Sequence, residues 1–269
     1  MKDLLANMSP LYILAIRFCG AAIMLLPACA GKLRIIDKAY LRGGLLMGIT
    51  LLLAYLFQTY GLQFTTPGKN AFLTSVYCVI TPFLYWAFIR KRPDRFNAAA
   101  AAICIVGIGL ISLDDELIIG AGDALTIVCG LFFALHIVVT ARFVAERNPV
   151  VLAMLQFAAV GGIALLCALA IEPFPSGIAP ADAWGIAFLT VVCTAGCLLM
   201  QTFGQKYTPP SQAAVIMTLE SVFGALCSVL LRHETLTVRL VFGFALTFAA
   251  VVISETKGLF IKGKSKEHV

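Results

Sequence analysis

The sequence predicts an all-α integral membrane protein with nine transmembrane helices. Three observations carry this. Of the 269 residues, 61% are hydrophobic and only 13% charged, where a soluble domain carries roughly 25% charged residues. The apolar residues gather into nine segments long enough, or nearly so, to cross a bilayer as helices. Finally, QTYGLQFTTP at 58–67 returns at 201–210 as QTFGQKYTPP, with five identities and two exchanges of one aromatic for another. The offset of 143 residues is about half the chain and points to a duplicated bundle.

The predicted spans are 9–29, 41–64, 69–89, 97–113, 123–144, 149–171, 183–204, 210–231 and 238–256. The fourth is the shortest, set between Asn97 and the acidic run Asp114, Asp115 and Glu116. Pro67 and Gly68 separate the second span from the third. Asn148 and Pro149 open the sixth. Pro209 and Pro210 open the eighth, where a missing N–H costs nothing at a helix start. EPFPSGIAPAD at 172–182 is the longest polar connection, and no connection is long enough for a soluble domain. The shared QT[YF]G reads as the end of one helix and the start of a tight hairpin to the next. Gly44-x3-Gly48 and Ala245-x3-Ala249 read as helix-packing signals.

Charge then orients the chain. If the first span runs from outside to inside, the inner loops and tail hold fifteen of the 20 Lys and Arg residues and the outer side holds four, with Arg17 inside a span. The excess of inner positive charge favours this orientation, which places Met1 outside and Val269 inside. The net charge of +6 is therefore a topology signal, and no nucleic-acid partner is expected. The nine cysteines all lie in apolar runs and read as small packing residues. No metal or cofactor is expected.

The repeat extends beyond the decamers. MSPLYILAIRF at 8–18 resembles RNPVVLAMLQF at 147–157, each with a proline, six residues, a polar residue and Phe. The first four spans match the last four, and one extra helix lies between the copies. The second copy therefore crosses the membrane upside down, an inverted repeat of the kind secondary transporters use. Residues 1–114 form the first repeat with four helices, 115–257 the second with five, and 258–269 a basic tail. The fifth span has no counterpart in the first half, so the pattern predicts a further helix ahead of Met1.

At this point the chain resembles the EamA-type transporters of the drug/metabolite transporter superfamily. The resemblance lies in GLQFTTPGKNAFLTSVYCVITPFL at 61–84, GDALTIVCGLFFALHIVVTARF at 122–143 and TPPSQAAVIMTLESVFGALCSVLLRHETLT at 208–237. It covers nearly the whole chain. It implies a ten-helix fold of two inverted five-helix repeats with both termini cytoplasmic, here lacking the first helix. The chain also departs from the family by Ser221, where a proline often follows the glutamate. The implied activity is secondary transport, with export of a small metabolite, amino-acid-like compound or drug as the repeats rock around a midplane site. The implied setting is a bacterial inner membrane, with lipid and a small-molecule substrate as partners, protons as an available coupling ion, and room for a homodimer.

Several residues are candidates for the substrate site. Glu220 sits mid-span in VIMTLESVFG, and a carboxylate at bilayer depth usually faces a cavity or a partner. Arg17 lies near the middle of the first span, either paired with Glu220 or another group or holding a substrate carboxylate; Gln156 is its repeat counterpart. His136 is near the centre of the fifth span, suited to proton coupling or to one structural hydrogen bond. Tyr77 matches Glu220 in the first repeat, and Asn70, Thr74 and Thr81 share its helix at spacings of three and four. Pro82 is expected to interrupt that helix and free the carbonyl of Cys78.

Other chemistries find little support. The chain has no G-x4-G-K-[ST], H-E-x-x-H or G-x-S-x-G. GAGD at 120–123 matches the G-x-G-D of intramembrane aspartyl proteases, but no second aspartate falls inside a span, and Asp123 reads as an N-cap. A membrane-embedded enzyme acting on lipid or peptide and a non-transporting membrane protein are the alternatives to transport.

Overall fold

The computed structural model describes residues 4–89, 95–112, 120–173, 180–230 and 237–264. All regular elements among the described residues are helical. The α-helices are α1 (Pro10–Cys29), α2 (Lys38–Gln63), α3 (Pro67–Thr74), α4 (Tyr77–Ile89), α5 (Arg95–Ser112), α6 (Ala121–Val144), α7 (Pro149–Ile171), α8 (Pro180–Phe188), α9 (Cys197–Tyr207), α10 (Pro210–Leu230) and α11 (Val238–Lys264). A π-helical stretch, Leu189–Gly196, joins α8 to α9.

Local chemistry sets the helix starts. Proline occupies the first position of α1, α3, α7 and α10, where its fixed φ suits the helix and no N–H is missed. Asn148 caps α7 by accepting from Val150 N and Val151 N, and Thr66 caps α3 by accepting from Lys69 N. Asp37 does the same for Tyr40 N at the start of α2. Ser9 makes no side-chain cap for α1. There the Glu172 carboxylate, from the end of α7, accepts from Leu11 N at 3.2 Å and from the Tyr60 hydroxyl at 3.1 Å. Asp123 lies in the first turn of α6 and accepts from Thr65 Oγ1 rather than capping the helix. The decamers behave as the repeat predicts. In each, one helix ends, at Gln63 or Tyr207, and the next begins on a proline.

Six helical stretches among the described residues are long and apolar enough to cross a membrane: Pro10–Ile35, Lys38–Gln63, Pro67–Phe88, Ala121–Val144, Pro149–Ile171 and Asp182–Tyr207. Large apolar side chains such as Ile23, Leu166, Ile171 and Met200 stand exposed on them, as lipid-facing residues do. The chain is a multi-pass membrane protein. Helices α5, α10 and α11 cover the other three predicted segments.

The chain divides into two compact units, each drawing on both halves of the sequence: Met1–Gln63 with His136–Thr208, and Phe64–Leu135 with Pro209–Val269. In the first, α7 packs on α1 and on α2. Gly44 and Gly48 of α2 meet Leu155 and Ala159 of α7 so closely that a Cβ on Gly48 would lie 2.6 Å from that of Ala159. This is the predicted small-residue contact. In the second, α11 packs on α5, and α10 on α3 and α4. Phe72 and Phe244 stack with ring centroids 3.9 Å apart. Here the packed face of α11 runs through Gly243, Thr247 and Ala250, with Gly107 of α5 against it. Ala245 of the predicted Ala245-x3-Ala249 motif is exposed.

Candidate functional site

Among the described residues, each unit contains a span whose α-helix is interrupted in mid-course, and predicted polar residues lie beside these interruptions.

In the first unit the departure is the π-helical stretch before α9. Thr194 Oγ1 donates to the carbonyl of Leu189, five residues back, at 2.8 Å. The same oxygen accepts from Arg17 Nε at 2.8 Å. Across the contact, Gly20 of α1 admits Thr190: a Cβ there would lie 2.7 Å from Thr190 Cγ2. Arg17 is 3% exposed. Its guanidinium carbon lies 4.7 Å from the Tyr55 ring centroid and 5.2 Å from that of Phe18, within cation–π range. Among the described residues, Thr194 is its hydrogen-bond partner.

His136 is buried in the same unit. Its Nδ1 is 3.2 Å from the Met47 carbonyl and 3.3 Å from Thr50 Oγ1, and its Nε2 is 3.3 Å from Thr140 Oγ1. A carbonyl only accepts, so the proton is assigned to Nδ1, and Nε2 accepts from Thr140. The ring thereby ties α2 to α6. Gln156, the repeat counterpart of Arg17, donates through Nε2 to Thr202 Oγ1 at 3.1 Å, and Thr202 donates to Leu198 O at 2.7 Å. The Oγ1 of Thr59, the repeat counterpart of Thr202, is buried with no hydrogen-bond partner.

In the second unit the departure is a cut helix. The predicted third span is two helices, α3 and α4, broken at Ser75 and Val76. Here the backbone tightens to three-residue bonds, with Ser75 N donating to Phe72 O, Val76 N to Leu73 O and Cys78 N to Ser75 O. Pro82, the predicted point of interruption, lies inside continuous α4. The break falls about two turns earlier because Ser75 Oγ donates to the Phe72 carbonyl at 2.5 Å and Gly130 of α6 leaves room for the tight turn. A Cβ on Gly130 would collide with Val76 and sit 3.0 Å from Thr74 O.

Asn70 and Thr74 face α6. Asn70 Nδ2 donates to Thr126 Oγ1 at 2.9 Å, and Thr74 Oγ1 donates to Asn70 O and lies 3.9 Å from Cys129 Sγ. Thr81 donates to Tyr77 O at 2.6 Å. Tyr77, first residue of α4, is 3% exposed, and its hydroxyl is buried with no hydrogen-bond partner. Its ring packs edge-on against Phe133. Glu220 of α10 is exposed. Beside it, Ser221 Oγ donates to Ala71 O at 2.8 Å, and Gly224 would bring a Cβ within 2.9 Å of Ala71 Cβ.

The structure thus sets Tyr77 at the cut helix, and Arg17 on an aromatic wall against Thr194. Sequence reasoning missed Tyr55, Thr194 and Glu172. Thr194 carries no signal, because a π-helical turn has no residue signature. Glu172 stands at the end of an apolar run and reads as the start of a loop. No group of three or more His, Cys, Asp or Glu is placed to hold a metal among the described residues.

Comparison with known proteins gives three findings. Residues 1–113 and 120–256 match the EamA-like transporter family. An uncharacterized transporter of Archaeoglobus fulgidus is 31% identical over 261 residues, covering 94% of this chain and 79% of that protein. One protein crystal structure superposes with a TM-score of 0.69 at 17% identity, covering 95% of this chain and 91% of the other, a likeness of fold.

Proposed function

The chain belongs to the EamA-like transporter family and is a secondary transporter of small molecules, and from that premise we propose where its cargo is handled. We read the cut helix of the second unit as part of the cargo site. The observation that carries this is the Tyr77 hydroxyl, buried with no hydrogen-bond partner among the described residues at the first position after the break. Leaving a buried hydroxyl unbonded costs on the order of 1–3 kcal/mol, so such a group suits a bond supplied by solute or water. Discontinuous spans are where transporters of this general class build binding sites.

In this reading Asn70, Thr74 and Thr81 hold the break in shape through α6 and their own helix, while Tyr77 and Glu220 meet the solute. His136 fixes α2 to α6 as a neutral ring. Glu220 is the group that takes up and releases a proton, so coupling is to protons. In this reading residues 1–257 form nine spans of a ten-helix fold of two inverted repeats, 1–114 and 115–257, working by alternating access. The basic tail at 258–269 lies on the cytoplasmic side of a bacterial inner membrane, and transport is outward.

The test is efflux from everted vesicles, with membrane abundance measured in parallel. Glu220→Gln is expected to abolish proton-driven transport at unchanged abundance while leaving solute exchange measurable. Tyr77→Phe is expected to weaken exchange several-fold with no loss of stability. Full proton-driven transport by Glu220→Gln would remove Glu220 from the mechanism.

A further inference from the structure

We propose that Arg17 is a carboxylate-binding subsite: the two terminal nitrogens of its guanidinium receive the carboxylate of the transported solute. The inference deepens the transporter reading and rests on it for the word "transported". The binding itself stands on the geometry of one compact unit.

The guanidinium is oriented from three sides, and none of the three uses its terminal nitrogens. Nε donates to Thr194 Oγ1 at 2.8 Å, and the Thr194 hydroxyl is itself tied to Leu189 O by the π-helical turn. The Tyr55 ring stands 4.7 Å from the guanidinium carbon, and Phe18 stands 5.2 Å away. Phe18 is braced in turn by Phe157, with centroids 5.9 Å apart. The terminal nitrogens have no partner among the described residues, and neither is among the sealed polar atoms. The residue as a whole is buried, at 3% exposed.

Helix packing does not require this charge. At the matching repeat position Gln156 joins two helices with one neutral bond to Thr202. A guanidinium stays charged at every relevant pH, and an unpaired cation at bilayer depth is costly. The missing compensation is what an anionic ligand provides. Two parallel free donors match the two oxygens of a carboxylate. A single cation favours a monoanion over a phosphate dianion, and the aromatic wall suits an apolar body attached to the carboxylate.

The experiment uses the purified full chain in detergent, with thermal unfolding followed as benzoate or its neutral isostere benzamide is added. A ligand that binds the folded state raises the midpoint with concentration. Benzoate is expected to raise it and benzamide to leave it unchanged. Arg17→Gln should lose the benzoate shift. Arg17→Lys, which keeps charge but not the fork, should weaken benzoate affinity about tenfold or more. Thr194→Val should weaken it by a smaller factor, and it covers the case in which the Arg17 variants fail to fold. Equal shifts by benzoate and benzamide, no shift by benzoate, or benzoate affinity unchanged in Arg17→Gln and Thr194→Val would each overturn the subsite. Counterflow in proteoliposomes separates the two readings. Transport confined to amines and neutral solutes would sink the carboxylate subsite and leave the transporter intact. No counterflow of any solute, with the benzoate shift still dependent on Arg17, would sink the transport mechanism and leave the subsite.

Discussion

Residues 189–196 and residues 75–76 both interrupt an α-helical span, one in each compact unit. In the first case the turn widens. The helix continues, and the displaced hydroxyl of Thr194 bonds both its own carbonyl partner and Arg17. In the second the turn tightens. The helix ends and restarts, and the first residue after the restart carries a buried hydroxyl with no partner. The widened turn is supported from one side by a side chain, Thr190 against Gly20. The tightened turn is supported by a neighbour's backbone surface, with Gly130 against Val76 and the Thr74 carbonyl. A widened turn can thus orient an existing charge, whereas the cut helix needs a glycine on the next helix to seat it.

The largest expected effect tests that difference directly. Gly130→Ala places a Cβ against Val76 and the Thr74 carbonyl, where little can move. Overpacking of this kind costs about 1–3 kcal/mol, more than the helix propensity that alanine restores. Gly20→Ala meets only a methyl of Thr190, which can turn at the expense of the Thr190 bond to Ile186 O. Its net cost should be well below that of Gly130→Ala. Thermal unfolding of the two purified variants checks the order; an equal or reversed order would mean that the cut helix is no more tightly seated than the widened one.

A smaller effect is expected at Thr202. Thr202→Val removes the acceptor of the Gln156 amide and leaves that buried group unbonded. Hydrogen bonds between membrane helices contribute about 0.6 kcal/mol on average, with a ceiling near 1.7. Destabilisation at the upper end of that range is expected, since Gln156 Oε1 already lacks a partner and the amide gains nothing by turning.

How much of this was legible in the sequence follows from which signals are local. Apolar length located the spans, because crossing hydrocarbon demands it residue by residue. Proline and capping residues marked the starts of α3, α7 and α10. The Gly44 and Gly48 contact was readable because small residues four apart have one main use in a membrane helix. The break in the third span was expected at Pro82, since proline is the local breaker. It occurs at Ser75 because the space for it is provided by Gly130, far away in sequence. Arg17 was visible as a charge at depth, and Tyr77 as the position matching Glu220 in the first repeat. The neighbours of Arg17, Thr194 and Tyr55, were not, because nothing in the spacing singles out one threonine or tyrosine in an apolar span. Glu172 was hidden for another reason: a carboxylate after an apolar run looks like a loop residue until its donors, Leu11 N and the Tyr60 hydroxyl, are in place.

The smallest expected effect asks whether the repeat still sets energetics where function has left its partner behind. Thr59 and Thr202 hold the same place in the two decamers. In the second copy the threonine accepts from Gln156. In the first, the residue at the Gln156 position is Arg17, which turns instead to Thr194. The Thr59 hydroxyl is left buried and without a partner. Thr59→Val keeps the shape and removes that hydroxyl, so no hydrogen bond is lost and a desolvated polar group is gone. Replacing an unbonded buried group in this way is neutral or stabilising, here by no more than about 1 kcal/mol. Thermal unfolding should therefore show Thr59→Val at or above the parent and Thr202→Val below it. A loss at Thr59 matching that at Thr202 would mean that the Thr59 hydroxyl is bonded after all, with Arg17 as the one donor the repeat would assign to it.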